Sequence, residues 1–140
     1  MNRPDDRPEG PSPDYRLVFS VVPAPLALLT PDLTVVDLNR AYLQSTSTTL
    51  HGSVGRSLRD VLPVRPEARD TAGPAGLRES LERARDTRRP DTVLVQRNDV
   101  HTPDGSYVER FWSYRTVPVL DDRDEVVLLL HRADDITDYV

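Results

Sequence analysis

The sequence predicts an α+β domain built on one five-stranded antiparallel sheet. Three observations carry that reading: two short apolar runs joined by a proline turn near the start, a middle stretch with apolar residues at helical spacing, and a last third of strand-like runs separated by turn residues. The 140 residues suit one domain able to bury a core. Composition excludes several functions. A formal net charge of -5 argues against nucleic acid as a partner, because neutralising phosphates takes a concentrated basic surface. All 18 basic residues are arginine, which reads as coding bias rather than phosphate recognition. No run approaches the roughly 20 apolar residues that cross a bilayer, and the polar start MNRPDDRPEG is unlike a signal peptide. A cytoplasmic protein with no membrane partner is expected. The absence of cysteine removes disulfides, thiolate nucleophiles, iron–sulfur clusters and cysteine-type zinc sites.

Residues 1–13 hold four of the 13 prolines among alternating charges, with little to bury, and read as a disordered arm. Residues 14–23 then place Tyr15, Val18, Phe19 and Val22 at helical spacing, with Asp14 as cap and Pro23 as stop. The runs Leu26–Thr30 and Leu33–Asn39 flank the turn formers Pro31 and Asp32, and read as a hairpin. Asn39 suits the N-cap of a helix that turns Tyr42 and Leu43 inward; its many Ser and Thr residues compete for backbone hydrogen bonds and keep it short. A brief helical turn is expected over Ser57–Pro63 and a loop over 64–76. The helix that follows, Leu77–Thr87, carries Leu77, Leu81 and Ala84 on one face. Three strands close the chain. Pro103, Asp104 and Gly105 mark the turn between the first two, and DDRDE the turn into the last. At the end, Asp135 suits the N-cap of a further helix, with Asp138 placed for its dipole.

Catalytic chemistry finds no support, and no enzyme is expected: there is no phosphate-binding glycine loop and no spacing that suggests a catalytic triad. His51, His101 and His131 are too scattered for a metal site. Alternation instead groups Trp112, Tyr114 and Thr116 on one face of their strand, and Leu129, His131 and Ala133 on one face of the next. Val126, Leu128 and Leu130 form a second apolar face on that last strand, which an ordinary two-layer domain would leave wet. The helix over 14–23, from its own chain or a second one, is the nearest cover.

In order along the chain, these segments resemble the PAS family. VVDLNRAYL is similar to its strand-to-helix segment, with Asn39 opening the helix and Tyr42 following. GRSLRDVLP, DGSYVERFWSYRTVPVLD and the terminal DDIT are similar to later family segments. Two positions depart from the pattern: Ser47 stands where the family usually has Gly, and DDRDEV lacks the usual turn Gly, although Asp tolerates the left-handed conformation.

The resemblance implies short helices packed on one face of the sheet, enclosing a pocket within residues 24–140. It implies a sensor whose terminal Asp135, Ile136 and Thr137 launch a connector helix to a C-terminal effector, most simply in a bacterial histidine kinase. Trp112, Tyr114, Thr116, Leu129, His131 and Ala133 would face the pocket, with Tyr42 in its wall. Tyr15, Val18, Phe19, Val22, Leu128 and Leu130 would build a homodimer. Known family cofactors fit poorly. Leu58 stands about where the light-sensing branch needs its adduct cysteine, and Leu77–Thr87 holds no histidine for haem. No cofactor is therefore expected, and an unidentified small organic ligand is the remaining occupant. The competing reading is a ligand-free interaction module, whose aromatics simply fill the core.

Overall fold

A computed structural model describes residues 8–61 and 72–140. Helix α1 (Tyr15–Val21) is capped by Asp14, whose carboxylate accepts from the Leu17 amide. Strands β1 (Leu26–Leu29) and β2 (Val35–Leu38) form the expected hairpin. Helix α2 (Arg40–Thr46) starts at Asn39, whose Oδ1 accepts from the amides of Tyr42 and Leu26 while Nδ2 donates to the carbonyls of Val22 and Ala24. One fully buried amide thus ties α1's exit, β1 and α2 together. The helix is short, as its composition predicts: Thr46 donates its hydroxyl back to the Tyr42 carbonyl, and Ser47 ends it in the left-handed region at φ 55°.

Helix α3 (Leu58–Val61) is a single turn. Helix α4 (Ala72–Thr87) begins five residues before the expected Leu77, because Pro74 falls in the first turn, where amides lack helical partners anyway. The remainder of the expected 64–76 loop, residues 64–71, lies outside the described residues. Leu77, Leu81 and Ala84 are buried on one face of α4, as their spacing requires.

The last third departs from a plain three-strand meander. Strand β3 (Asp91–Arg97) is followed by a separate two-stranded ribbon, β4 (Val100–His101) with β5 (Tyr107–Val108), and it is this ribbon that the Asp-Gly turn closes. Strands β6 (Phe111–Leu120) and β7 (Val126–Asp135) complete an antiparallel sheet of order β2-β1-β7-β6-β3. Asp124 takes φ 61° in the turn before β7, as the missing glycine demands of it.

The β6–β7 ladder shifts register: Val119 pairs with Leu128, but Leu120 with Val126. Val127 is the bulged extra residue, so Val126 packs against the core and leaves the outer apolar face expected of it to Leu128 and Leu130. The core lies between the sheet's inner face and the helices. The chain ends in a single 3-10 turn, Thr137–Tyr139, where Asp135 Oδ1 accepts from both the amide and the hydroxyl of Thr137.

The strain at Ser47 has a measurable consequence. Ser47→Gly keeps the amide-to-Leu43 carbonyl bond and removes the cost of a Cβ at positive φ. It should raise stability by about 1 kcal/mol, seen as a higher urea midpoint at unchanged slope. An unchanged or lower midpoint would contradict this account of the helix end.

Candidate functional site

Alternation along β6 turns Trp112, Tyr114 and Thr116 inward, and the ladder sets Tyr114 opposite Ala133 and Thr116 opposite His131. All of these, with Leu129 and Tyr42, are no more than 3% exposed. The six strand residues expected to share one face lie on the same side of the sheet, and Tyr42 of α2 is buried in the core on that side. The indole of Trp112 lies nearly parallel to the Tyr114 ring, 8° apart with centroids at 6.4 Å, and the Tyr114 ring tilts against the His131 imidazole at 5.3 Å.

The polar groups of this cluster are few. His131 Nδ1 lies 3.1 Å from Thr116 Oγ1, while Nε2 has no hydrogen-bond partner among the described residues. Burial lowers the imidazole pKa to about 4, so the ring is neutral near pH 7. Burial likewise pushes the Tyr42 phenol far above its ordinary range, with Tyr114 adding to the effect. The Tyr114 phenol also rises through burial, opposed by its hydrogen bond with Asn98.

Asn98 is a site residue that sequence reasoning missed. It is buried between β3 and β4, where Nδ2 donates to the Tyr114 hydroxyl at 2.6 Å and its carbonyl accepts from Trp112 Nε1 at 2.8 Å. Its own amide donates to the Arg110 carbonyl. The Arg110 guanidinium pairs with Asp135 at 3.2 Å, Asp135 holds Thr137, and Thr137 Oγ1 accepts from the Phe111 amide. Ile136 donates its amide to the Phe111 carbonyl. A chain of polar contacts thus runs from the aromatic cluster to the three residues expected at the output joint. The signal was present in the sequence as the turn-forming pair Asn98-Asp99, which interrupts an otherwise strand-like run.

A cleft of about 330 Å³ opens elsewhere, lined by Asp32, Leu33, Ser57, Arg59, Asp60 and Arg78 over a floor of Leu58, Leu77 and Leu81. The three floor leucines also belong to the cluster that contains Tyr42, Trp112 and Tyr114. None of the seven expected pocket residues lines this cleft.

The expected dimer residues divide. Tyr15 and Val18 are 61% and 51% exposed, as are their helix neighbours Leu17 and Val21 at similar levels, whereas Phe19, Val22, Leu128 and Leu130 are half-buried. Helix α1 packs against α2. His51 and His101 are exposed. Among the described residues no group of three His, Cys, Asp or Glu side chains is placed to hold a metal, and no helix is long and apolar enough to cross a membrane.

A family model described as PAS fold matches residues 19–140. Among solved structures the chain is similar to the PAS domain of a protein from Colwellia psychrerythraea, at 14% identity over 89% of this chain and 95% of that one, with a TM-score of 0.66. The PAS domain of BvgS from Bordetella pertussis is 22% identical over 89% and 85%, at a TM-score of 0.62. An RNA-binding light-oxygen-voltage receptor is 16% identical over 89% of this chain but only 32% of its own, at a TM-score of 0.65. At these identities the likeness is one of fold. No curated protein matches the chain.

Because His131 titrates near pH 4 when folded and near 6.5 when unfolded, the unfolded chain binds the extra proton between those values. Its contribution is fully present above pH 6.5 and is lost as the pH falls towards 4. Urea titrations should show wild type losing about 3 kcal/mol more than His131→Phe between pH 7 and pH 4. Equal losses would place the imidazole in water.

Proposed function

The chain belongs to the PAS family, and we propose that it is a sensory module that takes up a small organic molecule on the inner face of its sheet and passes the signal to a C-terminal effector. On this reading residues 1–13 are an arm, 14–23 a cap helix and 24–140 the sensing domain. The observation that supports it is the buried imidazole of His131, whose Nε2 has no partner among the described residues and lies inside a cluster of aromatic rings. A buried donor or acceptor left unmatched costs about 1–3 kcal/mol, which a ligand's polar group would recover. The cleft offers the approach, because its floor leucines are themselves cluster residues.

The output would run through Asn98, Arg110 and the turn of Asp135, Ile136 and Thr137, since that route joins Tyr114 and Trp112 to the chain end by contacts already in place. A cytoplasmic bacterial regulator such as a histidine kinase is the setting that the family resemblance favours, with no catalysis by this domain itself. Haem and photoactive flavin remain disfavoured by the residues at their attachment positions.

Ligand-detected NMR against a set of small aromatic compounds should find saturable binding that Ala133→Leu, which fills the same face, weakens at least tenfold. Equal binding by the variant would move the ligand off this face.

The second reading, a homodimerisation module, rests on the exposed apolar side chains of α1 and on the outer pair Leu128 and Leu130. Light scattering at high micromolar concentration should give a dimer, and Val18→Asp a monomer. A monomeric wild type would contradict this second reading.

A further inference from the structure

We infer that the ligand of this site is an uncharged, planar molecule that presents a hydrogen-bond acceptor, a carbonyl oxygen or a ring nitrogen, to Nε2 of His131. This rests on the pocket reading above and goes further by naming the class of molecule.

The donor count decides the acceptor. Thr116 Oγ1 and His131 Nδ1 share one hydrogen bond, and both residues are fully buried. If the Thr116 hydroxyl donates, its proton and the Nδ1 lone pair are both matched, and a single group, Nε2–H, is left over. The reverse arrangement strands two groups, the Thr116 proton and the Nε2 lone pair, because Thr116 Oγ1 has no other hydrogen bond among the described residues. Unmatched buried groups are costly, so the tautomer with Nε2–H is favoured. Tyr114 adds a second donor nearby: its oxygen accepts from Asn98, which leaves the phenolic proton to give.

The charges decide neutrality. On β3, Asp91 pairs with Thr116 across the ladder, but Ser80 donates to it at 2.5 Å and Arg83 grips it with two nitrogens at 3.1 Å each, so its charge is answered. On β6 and β7, Arg115 and Arg132 point to the opposite face. On the helices, Arg40, Arg59, Asp60, Arg78, Glu79 and Arg83 are exposed. A carboxylate or ammonium entering the cluster would shed its water, while Asp91, Asp99 and Asp135 are already paired with Arg83, Arg97 and Arg110. The imidazole remains neutral down to about pH 4 and supplies none. The nearly parallel Trp112 and Tyr114 rings, with His131 tilted beside them, favour a flat partner.

Three probes on one skeleton separate these terms: 1-indanone, indane and indane-1-carboxylate, titrated into the intact chain and followed by the fluorescence of Trp112, the single tryptophan. Indanone should bind saturably, indane about tenfold more weakly, and the carboxylate more weakly still. In Thr116→Val the tautomer is no longer fixed, and the preference for indanone over indane should shrink to within about twofold while indane binding holds. Long-range proton–nitrogen NMR of the unaltered protein should show Nε2 protonated and Nδ1 bare at pH 7. Indane or the carboxylate binding as tightly as indanone, or a protonated Nδ1, would overturn the class of ligand and leave the pocket reading standing. No response of Trp112 or of any inner-face resonance to all three probes would overturn both.

Discussion

The register of β6 against β7 is the constraint on which the site depends. Because side chains alternate along a strand, a slip of one residue would send Trp112, Tyr114 and Thr116 to the outer face and bring Phe111, Ser113 and Arg115 against the helices. The ladder is held at both ends. At one end the Phe111 amide and carbonyl bond to Thr137 Oγ1 and the Ile136 amide, and at the other the bulge at Val127 returns Val126 to the core. Between these anchors the pairing of Thr116 with His131 is fixed, and with it the hydrogen bond between their side chains.

The helices answer to a second, smaller anchor. Asn39 spends both ends of its amide on backbone groups from three segments, which fixes the start of α2, and Tyr42 packs from that helix into the core. The aromatic face and the helix that covers it are thus positioned by backbone bonds, and the side chains inside are left to pack or to meet a guest. Asn98 differs in kind. It bonds to the Tyr114 and Trp112 rings and, through its own amide, to the carbonyl of Arg110, whose guanidinium pairs with Asp135.

Much of this was legible in the sequence, for identifiable reasons. Period-two alternation placed the inner face of β6 and β7, Asn39 announced its helix by cap chemistry, and Leu77, Leu81 and Ala84 announced theirs by spacing. What failed to show was whatever depends on a partner distant in sequence. Val126 reads as an outer residue until the bulge opposite Val119 is known. Asn98 reads as a turn residue, and only the fold reveals that it is enclosed by two aromatic side chains.

Nε2 of His131 is the point at which packing alone leaves the cluster incomplete, and a crystal structure of the purified chain examines it most directly. The account predicts that Nε2 is hydrogen-bonded to a group that is not protein, lying flat among Trp112, Tyr114 and Tyr42. A hydrogen bond from Nε2 to a side chain or carbonyl of the chain itself, with the inner face filled, would contradict it and leave the domain a packed core that works through its surface.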